Sequence, residues 1–137
     1  MFDFANNAST ATQKNFIRFQ CLLESDFTHH HNVGHYAEKL GVSEANLRLA
    51  CALVAAMSPR DCISQRLATE AAQLLANTQL PVQTISDQLG FDEPTNFAKF
   101  FKRQHGCTPS AFREQQSLSA DVTVDRRSVL VDSSTAA

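Results

Sequence analysis

Large apolar residues return along this chain every three or four positions, the spacing that lines up side chains on one face of an α-helix. Phe16, Phe19, Leu22, Leu23 and Phe27 make the first such stripe. Val33, Tyr36, Ala37 and Leu40 make a second, ended by Gly41, since glycine takes the left-handed backbone of a helix C-terminus at little cost. Ser43, followed three residues on by Asn46, is placed to cap a third helix. That helix, Ala45 to Met57, carries one charge, Arg48, and is otherwise apolar nearly all round, the pattern of a buried helix. Ser58-Pro59 starts a fourth, along which Ile63, Leu67, Ala71, Leu74 and Leu75 recur until Asn77 and Pro81 stop the run. Pro81 opens a short fifth helix that ends at Gly90, and Asp92-Glu93-Pro94 signals a sixth, Pro94 to Gln104. Phe97 and Phe101 are its buried pair, with Phe100 beside them. A short closing helix follows from Pro109 to Gln115. The expected fold is all-α, with about seven helices.

Part of this pattern repeats. The stretch from Tyr36 to Val42 is echoed 49 residues later by Ile85 to Phe91, with Leu40-Gly41 answering to Leu89-Gly90. One residue inserted in the second copy moves the offset to 50, which pairs Leu47 with Phe97, Cys51 with Phe101, Ser58-Pro59 with Thr108-Pro109, and Cys62 with Phe112. Each copy reads as a short helix, a turn at glycine and a second helix. A small residue four before each glycine, Ala37 or Ser86, lets the two helices cross closely. That combination is the helix-turn-helix signature. The linker helix between the copies, about twenty residues at about 1.5 Å each, is a rod of roughly 30 Å. One turn of B-DNA measures about 34 Å, so a single chain is expected to read two successive major-groove segments as a monomer.

At 137 residues the chain has room for one domain, and 43% apolar content closes a small helical core. The expected layout is a disordered tail over 1–13, a folded domain over 14–116 and a flexible tail over 117–137. Within the domain the first motif covers 33–57, the linker helix 59–78 and the second motif 81–105. Val122 to Val124 and Val129 to Val131 are candidates for a weak strand pair in the second tail. The longest apolar run, Leu49 to Met57, has nine residues, against about twenty for a membrane span. Met1 to Thr10 lacks the features of a signal peptide, so the expected location is the cytoplasm, away from any membrane.

Cys21, Cys51, Cys62 and Cys107 form no C-x-x-C pair, which leaves most of them as small core residues. His29, His30, His31 and His35 have no Cys, Asp or Glu at a spacing that completes a metal site, and a solvated loop is the better reading. No metal or cofactor is expected. Nucleophile elbow, phosphate loop and paired catalytic carboxylates are all missing, which argues against an enzyme. A net charge of −2 is low for a nucleic-acid binder. Lys14 to Gln116 holds ten basic and ten acidic residues, so any DNA-binding face has to be local.

The 29 residues from Ile85 to Arg113 resemble the second motif of AraC/XylS regulators, a family of bacterial transcription regulators. Leu89-Gly90-Phe91, Phe97 with Phe101-Lys102, Gly106 with Thr108-Pro109, and Phe112-Arg113 match the family pattern at its spacing. Lower-density similarity runs from about Phe16 to Gln116 and includes Tyr36-Ala37, Leu40 to Ser43 and Arg66-Leu67. The resemblance implies a C-terminal DNA-binding domain of two helix-turn-helix motifs, with double-stranded DNA as partner and RNA polymerase as a second candidate. The first copy departs from the family. Cys51, Ala52 and Ala56 stand where a phenylalanine, a phosphate-contacting lysine and a glycine are usual. Most members also carry an N-terminal effector domain. About fifteen residues precede the first predicted helix here, leaving open a stand-alone member, a truncated gene or an excised domain.

In the second copy, Thr95, Asn96 and Lys99 fall on the exposed side of the sixth helix near its N-terminal half. Asn bonds adenine bidentately, Lys donates to guanine and Thr meets a thymine methyl, so these three are the candidate base contacts. Lys102 and Arg103 suit phosphates, and Arg113 adds to the basic side of the second copy. In the first copy, Arg48 is the candidate base reader, and Ser43 is a helix cap first and a phosphate ligand second. The rival reading is a protein-interaction module of the same fold, or a truncated regulator, with weak or lost DNA binding. Its contact surface would be the apolar Leu49–Met57 helix.

Overall fold

The computed structural model describes residues 9–118, which contain seven helices and no strand. They fall into two compact units, each with its own core. The first runs up to Thr69 and takes in Gln88–Gly90; the second comprises Glu70–Asp87 and the chain from Phe91 onward.

In the first unit, α1 (Thr10–Asp26) packs on α2 (Val33–Leu40) and α3 (Glu44–Ala55). Ser9 caps α1 by accepting from the Thr12 amide. The helix therefore begins inside the segment expected to be a tail, because an apolar stripe is not needed for a helix to start where a serine cap and good helix formers stand. Phe16, Phe19, Leu23 and Phe27 of α1 are buried, as are Tyr36, Ala37 and Leu40 of α2 and Leu47, Ala50 and Cys51 of α3. The Phe19 and Tyr36 rings meet edge to face at 5.5 Å, the geometry aromatic quadrupoles favour. Tyr36 also donates its hydroxyl to the His30 carbonyl at 2.7 Å. Burial holds the Tyr36 phenol well above the usual tyrosine range. The start of α4 (Pro59–Asn77) completes this unit, with Ile63, Leu67 and Ala68 buried. Ser58 caps that helix by accepting from the Asp61 amide.

The histidine segment is a loop exposed at His29 and His30, as expected from sequence, but His31 and His35 are half-buried and bonded into this unit. His35 meets the Asp26 carboxylate at 2.7 Å and stacks on His30 at 3.6 Å between ring centroids. His31 bonds the Leu89 carbonyl at 2.8 Å. No group of three or more His, Cys, Asp or Glu side chains that could hold a metal ion occurs among the described residues. The cysteines depart from expectation as well. Only Cys51 is buried, Cys62 and Cys107 are half-buried, and Cys21 is exposed because it lies off the α1 stripe.

The second unit contains the end of α4, α5 (Val82–Gln88), α6 (Pro94–His105) and α7 (residues 109–118). α7 extends past the expected Gln115 to the edge of the described residues; the candidate strand pair at 122–131 lies outside them. Ala71, Leu75, Ile85, Ser86, Phe97, Phe100 and Phe101 are buried here. Phe101 meets Phe112 edge to face at 5.3 Å, and Phe91 lies 5.3 Å from both Phe97 and Phe100. Among the described residues no helix is long and apolar enough to cross a membrane.

Candidate nucleic-acid interface

A glycine turn precedes the second helix of each copy, α3 or α6, but the two helices start differently. In the first copy, Gly41 ends α2 at φ 72°, and its amide donates to the Glu38 carbonyl. Ser43 then caps α3 by accepting from the Asn46 amide at 3.0 Å. This ties up one lone pair of the hydroxyl proposed for phosphate. In the second copy, Gly90 turns at φ 85°. A Cβ at Gly90 would stand 2.2 Å from the Thr28 carbonyl oxygen, so conformation and space both demand glycine there. Glu93 precedes Pro94, which takes the first helical position of α6.

α6 divides cleanly. Phe97, Phe100 and Phe101 are buried, whereas Thr95, Asn96, Lys99, Lys102 and Arg103 are exposed. Helical periodicity forces this, because a three-residue aromatic wedge on one side leaves the intervening positions on the other. Lys102, Arg103 and His105 occupy the last turn, where cations also complement the helix dipole. The Arg103 guanidinium lies 5.8 Å from the Phe100 ring centroid, within cation–π range.

α3 overturns one expectation. It is not buried all round: Leu49 keeps 51% of its surface exposed, and Ala45, Arg48 and Ala52 are exposed with it. Alanine and leucine made the pattern look internal, yet only one face packs on α1 and α2. Arg48 forms an exposed pair with Glu44 at 3.7 Å, one turn earlier on α3, a contact of the strength typical of surface pairs, about 0.3–0.5 kcal/mol. The surface of α3 is therefore apolar, with a single cation already facing a carboxylate.

Arg113 is also elsewhere than its place in the basic pattern suggested. Its guanidinium donates to three backbone carbonyls, Leu75 at 3.0 Å, Thr78 at 3.2 Å and Leu80 at 2.6 Å. It closes the C-terminal end of α4, whose last carbonyls have no partner inside the helix. Sequence reasoning missed two further contacts of this kind. Arg66 forks onto the Glu24 carboxylate at 2.6 and 3.2 Å and lies 4.3 Å from the centre of the Phe27 ring. Its hydrogen bond holds the Glu24 carboxyl below the usual range. The hydrogen bond from His35 does the same for Asp26. The only hint in the sequence was Arg66 in the family-like Arg66-Leu67 pair.

Comparison with known proteins agrees with this geometry. A family model described as a helix-turn-helix domain matches residues 36–115. The chain is 28% identical over 97 residues to the HTH-type transcriptional regulator ExsA of Pseudomonas aeruginosa, covering 71% of this chain and 35% of ExsA. It thus spans about a third of the length of that curated relative. Among solved structures it is similar to the C-terminal domain of the two-component response regulator yesN from Fusobacterium nucleatum, with TM-score 0.67, 25% identity and coverage of 77% of this chain and 99% of that domain. The DNA-binding domain of AdpA, solved in complex with a target DNA, shares the fold at TM-score 0.65 and 20% identity, over 74% of this chain and 91% of that one. With two glycine-turned helix pairs, the aromatic wedge of α6 and a family match across residues 36–115, the chain belongs to the AraC-type helix-turn-helix family.

Proposed function

We propose that this chain is the DNA-binding unit of a bacterial transcription regulator, acting in the cytoplasm and engaging double-stranded DNA mainly through α6. The observation that carries the reading is the split of α6, with Thr95, Asn96 and Lys99 exposed toward its N-terminal half and Lys102 and Arg103 beyond them. In this reading the first three contact base edges and the last two contact phosphates, while Arg48 reads a base from α3 and Ser43 gives a weaker phosphate contact. The 19-residue length of α4 supports reading of two successive major-groove segments by one monomeric chain, over a DNA-binding domain of residues 14–116. RNA polymerase is the partner that such a regulator would address. The reading assigns the chain no catalytic step.

The test is a titration of the chain on DNA from upstream of its own gene, across a range of salt. Binding should weaken as salt rises, and Lys102→Ala should lower the log-log salt slope by about one unit. Lys99→Ala should cost about 1–3 kcal/mol on the matched site and relax preference at one position. Binding that ignores both substitutions would remove α6 from the interface. The exposed apolar face of α3, Ala45, Leu49 and Ala52, favours the second reading, a protein-contact module. Absence of salt-sensitive binding to any of the upstream fragments would select it.

A further inference from the structure

The internal repeat assigns the same contact to both units. In the second, Phe101 of α6 packs edge to face on Phe112 of α7 at 5.3 Å. Fifty residues earlier, the matching positions hold Cys51 of α3 and Cys62 of the first turns of α4. The side chains still meet, since the Cys51 and Cys62 thiols share a hydrogen bond. Cys51 is fully buried, Cys62 is half-exposed, and both are reduced. Two small thiols stand where the second copy places two packed rings, on separate helices joined by a short turn.

We propose that Cys51 and Cys62 form a modification site, a dithiol that peroxide closes to a disulfide tying α3 to the start of α4. Cys62 is the attacking sulfur. It is the solvent-reachable member, it lies near the N-terminal end of α4, where the helix dipole favours a thiolate, and the hydrogen bond from Cys51 draws its thiol below the usual range, against the opposing charge of Asp61. Cys51 is the protonated member, pushed up by that same bond and by burial. The Cys62 sulfur attacks one peroxide oxygen and the O–O bond breaks. The product is a sulfenic acid on Cys62, and the released hydroxide takes up the proton lost from Cys62 and leaves as water. The Cys51 sulfur then displaces the sulfenic hydroxyl, the S–S bond forms, and the Cys51 proton departs with that hydroxyl as a second water. The two thiols lose two electrons and the peroxide gains them.

The experiment is to treat the intact chain with hydrogen peroxide at low protein concentration, block remaining thiols and map the product by mass spectrometry. Trypsin cuts after Arg48, Arg60 and Arg66 and so separates the cysteines onto peptides 49–60 and 61–66. The expected product is a monomer lighter by two hydrogen atoms. It should yield those two peptides covalently joined, revert with dithiothreitol, and form equally in a Cys21→Ser/Cys107→Ser chain. A Cys62→Ser chain with an unchanged circular dichroism spectrum should leave Cys51 unmodified. Cys62 advancing to sulfinic acid with Cys51 still free, crosslinks that run only between chains through Cys21, or oxidation of Cys51 that persists in Cys62→Ser would each overturn the proposal.

Discussion

Ala56 holds a left-handed backbone, φ 56° and ψ 34°, at the C-terminal cap of α3. It is the only non-glycine with positive φ among the described residues. Its counterpart fifty residues on is Gly106, at φ 84°, and the two amides make the same bond back to the fourth preceding carbonyl, Ala52 for Ala56 and Lys102 for Gly106. The backbone has thus taken up the glycine geometry while keeping a methyl group. An L-residue in this region costs about 1–2 kcal/mol. Glycine avoids that strain but loses about 0.5–1 kcal/mol more chain entropy on folding. Since Ala56 is exposed, little packing is lost with its methyl. Ala56→Gly should therefore stabilise the first unit by about 0.5–1 kcal/mol, a rise in Tm of about 2–8 °C for a unit of this size. Thermal and urea melts followed by circular dichroism measure it. The control is Ala52→Gly, exposed but inside α3 with ordinary helical backbone, which should cost about 1 kcal/mol. If both substitutions lower Tm alike, the strain argument is refuted.

Other expectations rest on contacts given above. The Ser86 hydroxyl is buried with no hydrogen-bond partner, and the first copy has Ala37 at the matching position; Ser86→Ala should stabilise by about 1 kcal/mol in urea melts, and a loss would mean that the hydroxyl is satisfied. Arg113→Lys keeps the charge but cannot reach three carbonyls from one planar fork, so the second unit should lose about 2–3 kcal/mol, with wild-type stability as the contrary result. Acid should destabilise the first unit: Glu24 and Asp26 have folded-state values below their ordinary ones, so their contribution is present above about pH 4.5 and is lost as pH falls through the depressed values. Asp26→Asn should flatten the fall in urea midpoint between roughly pH 5 and pH 3, and an unchanged slope would exclude the His35 pair as its source.

How much of this was legible in the sequence follows from what each feature depends on. Helix positions depend on periodicity and caps, which are local, so the helices from Val33 to His105 stand within a residue or two of expectation. The exposed side of α6 was legible too, because three phenylalanines leave little choice of buried face. On α3 the same logic failed: alanine is compatible with either environment, and no large residue outweighed it, so a partly exposed helix read as internal. Arg113 failed for another reason. Its charge was visible, but its partners are the Leu75 carbonyl at the end of α4 and the Thr78 and Leu80 carbonyls just after it, more than thirty residues away, and a backbone carbonyl leaves no trace in sequence. The repeat carried information that single positions lacked. Pairing Cys51 with Phe101 and Cys62 with Phe112 lets the Phe101–Phe112 contact of the second unit point to its counterpart in the first, since a core position keeps its neighbours when its side chain changes. The two copies share that contact and differ in what fills it, rings in one and thiols in the other. They differ in the same way at the surface, where Lys102 answers to Ala52. In the proposed reading the first copy keeps the packing of the motif but has Ala52 in place of a cation, so Arg48, already paired with Glu44, is the one cation on α3 and the larger electrostatic share of a DNA contact would fall to α6.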